Sequence, residues 1–121
     1  MKNDNVVQGK SFIFALRIIK LYRDLIEKSK EYDLAKQVLR SGTSIGANVE
    51  EAIGAQSPRD FISKMSIAYK EARETHYWLR LLNESSLIEK KPAESMLCDV
   101  DELLKIIGSI QRTMRTKIHN S

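Results

Sequence analysis

Four glutamates, Glu50, Glu51, Glu71 and Glu74, and two histidines, His76 and His119, are the side chains of this sequence with the chemistry to hold a pair of iron ions inside a helical bundle. Such centres use Glu-x-x-His on two helices, because an offset of three residues brings both ligands to one face. The offset fails at both histidines, since Arg73 stands three residues before His76 and Thr116 three before His119. No metal and no cofactor is therefore expected, and the glutamates read as solvated or interface-paired groups. Covalent chemistry fares no better: the one thiol, Cys98, has no adjacent histidine, and no Gly-x-Ser-x-Gly elbow occurs. The stretch SGTSIGAN (41–48) lacks the Gly-Lys-Ser/Thr ending of a phosphate-cradling loop and lies within a helical pattern, so it reads as a packing element.

These residues must be positioned by helices. The 121 residues allow one domain with a core of its own. Hydrophobic residues make up 42% and charged residues 30%, with only 5 Gly and 2 Pro, which disfavours collagen-like, disordered and turn-rich all-β classes. Arg17, Lys20 and Arg23 interrupt the most apolar segment, so no membrane span is expected. MKNDNVVQGK has no apolar core of a secretion signal, and a lone cysteine suits a reducing cytoplasm. The pattern predicts helices over about 11–28, 32–55, 58–84 and 91–116. Ser57-Pro58 supplies an N-cap with proline at the first helical position, and Lys91-Pro92 opens the last helix. Short connectors make consecutive helices antiparallel, so the expected fold is an all-α, up-down four-helix bundle over 11–117. Residues 1–10 read as a flexible lead-in and 118–121 as a flexible tail.

Helical spacing assigns the core. Met96, Val100, Leu103, Ile107, Ile110 and Met114 form one stripe on the fourth helix, and Leu34, Val38, Ile45, Val49 and Ala52 one on the second. Gly42 and Gly46 fall beside the second stripe and call for either a close backbone crossing or a local kink. The first and third helices are apolar over more than one face. On the first, Phe14, Ile18, Leu21 and Leu25 adjoin a line of Ala15, Ile19, Tyr22 and Ile26. On the third, the core line Phe61, Met65, Ala68, Ala72 and Leu79 is accompanied by Ile67, Glu71, Glu74, Trp78 and Leu81. Monomers rarely leave such surface in water, so this second line is expected to be an oligomer interface, the alternative being a widened intramolecular core.

The net charge of +4 is concentrated at the start: residues 1–30 hold 7 basic and 3 acidic groups. Candidate phosphate contacts are Lys10, Arg17, Lys20 and Arg23 on the first helix, with Arg112, Arg115 and Lys117 on the last. In the last helix acids precede bases, which also complements the helix macrodipole. Arg112 and His119 stand two helical turns apart, a spacing similar to the Arg-x4-6-His pairing of HEPN-type ribonucleases. That likeness implies metal-independent RNA cleavage as an alternative function.

The segment SIGANVEEAIGAQSPRDFISKMSIAYKEARETHYWLRLL (44–82), with DLAKQVLRSGTSI before it, resembles a four-helix-bundle family. That family includes the 23S rRNA-intervening-sequence proteins and the accessory proteins of diversity-generating retroelements. Ser44, Ile45, Asn48 and Glu51 match its Ser-Ile-x-x-Asn-x-x-Glu motif, and Phe61, Ile67, Ala68 and Glu74 match its second helical motif. The small residue after the motif glutamate is Ala52 here, where many members have glycine. The resemblance implies a ring-like homopentamer with no established enzymatic activity, and retroelement accessory relatives bind nucleic acid beside a reverse transcriptase. Together these readings lead to a non-enzymatic cytoplasmic homo-oligomer, a pentamer, that serves as a scaffold for RNA or a ribonucleoprotein. A pure protein-interaction adaptor is the remaining alternative.

Overall fold

A computed structural model describes residues 2–120 and contains four helices, α1 (Lys2–Lys28), α2 (Tyr32–Ile53), α3 (Pro58–Glu84) and α4 (Lys90–Asn120), with no strand among the described residues. Local chemistry sets the breaks. Ser57 is extended (φ −151°, ψ 159°), and its hydroxyl accepts the Asp60 N–H at 3.1 Å, so α3 starts at Pro58 as its sequence signal predicts. The Glu31 carboxylate accepts the Leu34 N–H at 3.2 Å and caps α2. Lys30 (φ 56°) and Ser86 (φ 61°) turn the chain through the left-handed region between α1 and α2 and after α3. Pro92 lies in the first turn of α4, where its missing N–H would have had no intrahelical partner. With that helix starting at Lys90, Glu94 falls past the first turn and sits 3.9 Å from Lys90.

Each helix packs against two others: α2 and α4 both touch α1 and α3, while the diagonal pairs do not meet. This is an up-down bundle, and it encloses a core of Phe14, Ile18, Leu25, Ile45, Met65 and Leu79 with the α4 stripe Val100, Leu103, Ile107 and Ile110. Burying each large member removes about 1.5–3 kcal/mol of unfavourable exposure. Gly42 makes the close crossing possible, because a Cβ there would lie 2.6–2.9 Å from three carbons of Ile18. Gly46 meets the same helix at Ser11, more loosely.

Both ends of the expected bundle are corrected. Residues 2–10 are the first turns of α1 rather than a lead-in, and 118–120 continue α4 rather than forming a tail. Met1 and Ser121 lie outside the described residues. Tertiary contacts explain the longer α1: Val7 is fully buried, and the Gln8 amide donates to both oxygens of Glu50 at 3.0 and 3.1 Å. Gly9 lies inside α1, since a helix held by packing tolerates the roughly 1 kcal/mol cost of glycine.

Candidate functional site

Of the matched motif residues, Glu51 and Glu74 bridge the seam between α2 and α3. On α2 the Ser44 hydroxyl donates to the Arg40 carbonyl (2.6 Å) and the Asn48 amide to the Ser44 carbonyl (2.8 Å), so both are tied to their own helix. Glu51 pairs with Lys64 across the seam at 3.2 Å, and Ile45 and Ala68 face the core, with Phe61 half-buried against it. Farther along, Arg40 reaches across to both expected interface carboxylates, Glu71 at 2.9 Å and Glu74. Beneath this bridge, the buried Thr75 hydroxyl lies 2.9 Å from that of Ser41. Arg40 is the residue that spacing on single helices did not reveal, since its partners lie on another helix.

The Trp78 indole N–H donates to Glu74 at 2.9 Å and, with Arg40, holds that carboxyl below its ordinary value of 4.5, against the opposing effect of partial burial. A carboxyl depressed in the folded state contributes stability above its unfolded value and loses it as pH falls through the folded one. Glu74→Gln should therefore melt below the parent at neutral pH, with the gap closing as pH drops below 4.5. Solvent screening caps the effect at about 1 kcal/mol. Thermal melts from pH 3 to 7 read this directly, and a gap independent of pH would contradict it.

Trp78 is half-buried against the core, so the outward part of the α3 line is Ile67 (39% exposed) and Leu81 (36%), joined by Tyr77. Tyr77 packs edge-on to Trp78, with ring centroids 5.1 Å apart. A more exposed apolar face lies on α1, where Phe12, Ile13 and Leu16 are 62, 61 and 53% exposed. The near-continuous apolar run FIFALRII around α1 carried the signal for it. These two faces belong to diagonally opposed helices.

The basic candidates separate into two groups. Lys10 pairs with Glu102 at 3.0 Å, and Arg17 pairs with Asp99 while donating to Ser95, so both serve the α1–α4 contact. Lys20, Arg23, Arg112, Arg115 and Lys117 are exposed and have no carboxylate partner among the described residues. Arg115 and His119 line a groove of about 560 Å³ at one end of the bundle, together with Arg59, Ile62 and Ile118. Arg112 lines a different groove, beside Tyr69 and Arg73, so it and His119 do not converge on one site. His76 is occupied by Asp101 at 3.2 Å. No group of three or more His, Cys, Asp or Glu side chains is placed to share a metal among the described residues. Nor is any helix long and apolar enough to cross a membrane.

The family model described as "23S rRNA-intervening sequence protein" matches residues 3–109. Among solved structures, a protein of unknown function from the S23 ribosomal protein family of Bacteroides thetaiotaomicron VPI-5482 is 51% identical to the chain. The alignment covers 91% of this chain and 98% of that one, with a TM-score of 0.89. No curated protein matches the chain.

Proposed function

The chain belongs to the 23S rRNA-intervening sequence protein family, and from that membership and its two uncovered apolar faces we propose a non-enzymatic homo-oligomer that scaffolds RNA or a ribonucleoprotein. The observation that carries this reading is the cluster of Phe12, Ile13 and Leu16, all more than half exposed on one helix. Contiguous apolar patches of that kind mark interaction surfaces. Ile67, Tyr77 and Leu81 offer a second patch on the diagonal helix. A contact between two different faces is heterologous, and a heterologous contact that closes makes a ring. The family resemblance supplies the number of copies, five. RNA is the ligand suggested by the family and by the exposed cations Lys20, Arg23, Arg112, Arg115 and Lys117, which have no carboxylate partner among the described residues.

Sedimentation at micromolar concentration is expected to show a particle several times the 13.9 kDa of one chain. That particle should retain structured RNA at about 50 mM salt and release it steeply as salt rises. A lone 13.9 kDa species overturns the assembly, and an assembly that retains no RNA overturns the nucleic-acid role and leaves a protein-interaction adaptor.

A further inference from the structure

We propose that the groove at the end of the bundle, between the start of α3 and the end of α4, is a nucleotide-binding site that takes the phosphate of a nucleoside phosphate on Arg59 and Arg115. This rests on the RNA-binding reading and assigns that role to a specific place. Among the described residues, Arg59, Ile62, Arg115, Ile118 and His119 line the groove. These side chains are one-sided, with two guanidiniums, an imidazole and two isoleucines, and no carboxylate side chain among the described residues. Elsewhere the bundle neutralises its bridging cations: Lys10, Arg17, Arg40 and Lys64 all have acidic partners from another helix. Among the described residues no acid pairs with Arg59, Arg115 or His119. Arg115 makes a long contact, 3.5 Å, to the Ser66 hydroxyl.

The shape suits the same ligand. A volume of about 560 Å³ lies within the range of small-molecule sites. Ile62 and Ile118 are half-buried and provide an apolar floor for the flat face of a base, while the exposed Arg59 and Arg115 stand where a phosphate would be held. Guanidiniums suit this task because their planar fork matches phosphate oxygens two at a time. His119, which also lines the groove, adds a ring N–H donor. Arg59 lies on α3 and the other two on α4, so the site exists only when the two helices are packed. The phosphate can belong to an RNA strand or to a free nucleotide, and the two are separated by experiment.

The test uses the full chain and fluorescein-labelled ten-residue oligouridylate, followed by anisotropy, with UMP as competitor. Arg59→Glu combined with Arg115→Glu is expected to weaken RNA binding at least tenfold. The log–log salt slope should fall by about 1.4, as expected for two lost contacts to a single strand. Lys36→Glu combined with Lys91→Glu changes the net charge equally but sits toward the opposite end of the bundle, and should change affinity far less. Where charge reversal unfolds the protein, as judged by circular dichroism, Arg59→Gln with Arg115→Gln takes its place. UMP that displaces the strand, or binds alone, with loss in the groove variant assigns the site to a single nucleotide. Strand binding that resists UMP and is lost in the groove variant assigns it to RNA. If the parent binds RNA and the groove pair binds it equally well, the groove is wrong while the RNA-binding reading stands. If the parent binds neither RNA nor UMP, both fail.

Discussion

Gly42→Ala is expected to destabilise this protein by about 1–2 kcal/mol, although alanine is the better helix former by about 1 kcal/mol. The new methyl would sit 2.6, 2.8 and 2.9 Å from Cγ1, Cδ1 and Cγ2 of Ile18, which is fully buried. A branched side chain in a filled core cannot swing aside, and overpacking of this kind costs about 1–3 kcal/mol. The other helical glycines calibrate the claim. At Gly46 an added Cβ would lie 3.3 Å from the Ser11 carbonyl oxygen, so propensity and crowding nearly cancel and Gly46→Ala should be close to neutral. At Gly9 nothing lies within 4 Å, and Gly9→Ala should stabilise by up to about 1 kcal/mol. Shortening the neighbour should relieve the clash, so Gly42→Ala with Ile18→Val should lose less than the two changes summed. Urea denaturation at one common protein concentration measures the series, because assembly makes apparent stability concentration-dependent. A Gly42→Ala protein as stabilised as Gly9→Ala would show that the helices do not cross there as closely as described.

Leu16→Glu is expected to break the proposed assembly into subunits without unfolding them. Leu16 is 53% exposed and contributes little to the core of its own copy, so the fold loses little. Burying a carboxylate in the centre of an interface leaves an unpaired charge there, and loss of a central apolar anchor alone costs about 2 kcal/mol or more. The dissociation constant should therefore rise by at least about a hundredfold. Leu81→Glu, on the diagonal helix, should do the same. The mixture decides between a heterologous and a two-fold contact. Each variant still carries one intact face, α3 in the first and α1 in the second, so equimolar mixing should give a mixed pair with one good contact and nothing larger. Recovery of full rings on mixing, or retention of rings by either variant alone, would refute the α1-to-α3 arrangement. Light scattering and sedimentation report both outcomes.

The bundle was legible because its signals are local. Ser57-Pro58 marks the start of α3 through a side chain that reaches only three residues ahead, and the Met96 to Ile110 stripe needs nothing beyond helical periodicity. Gly42 and Gly46 called for either a close crossing or a local kink, and the close approach of Gly42 to Ile18 is the crossing. The role of Trp78 was less legible. Its place on a second apolar line fitted either an oligomer interface or a widened core, and its ring lies half-buried on the core with its N–H on Glu74. Periodicity gives an angle around a helix axis and leaves the width of the covered arc undetermined.

The sequence by itself determined the number of helices, their order, the residues between them and the stripes that had to be hidden, because capping, proline geometry and the 3.6-residue period act within a few residues of each other. Only the tertiary structure decided which charges remain available. Lys10 and Arg17 look the same as Lys20 and Arg23 along the chain, but Glu102 and Asp99 on α4 take up the first two. Likewise Arg59 and His119, 60 positions apart, come to one groove only because α3 and α4 run antiparallel. A pair's meeting across helices depends on crossing angle and register, and those are set by side-chain packing over the whole bundle rather than by any one segment.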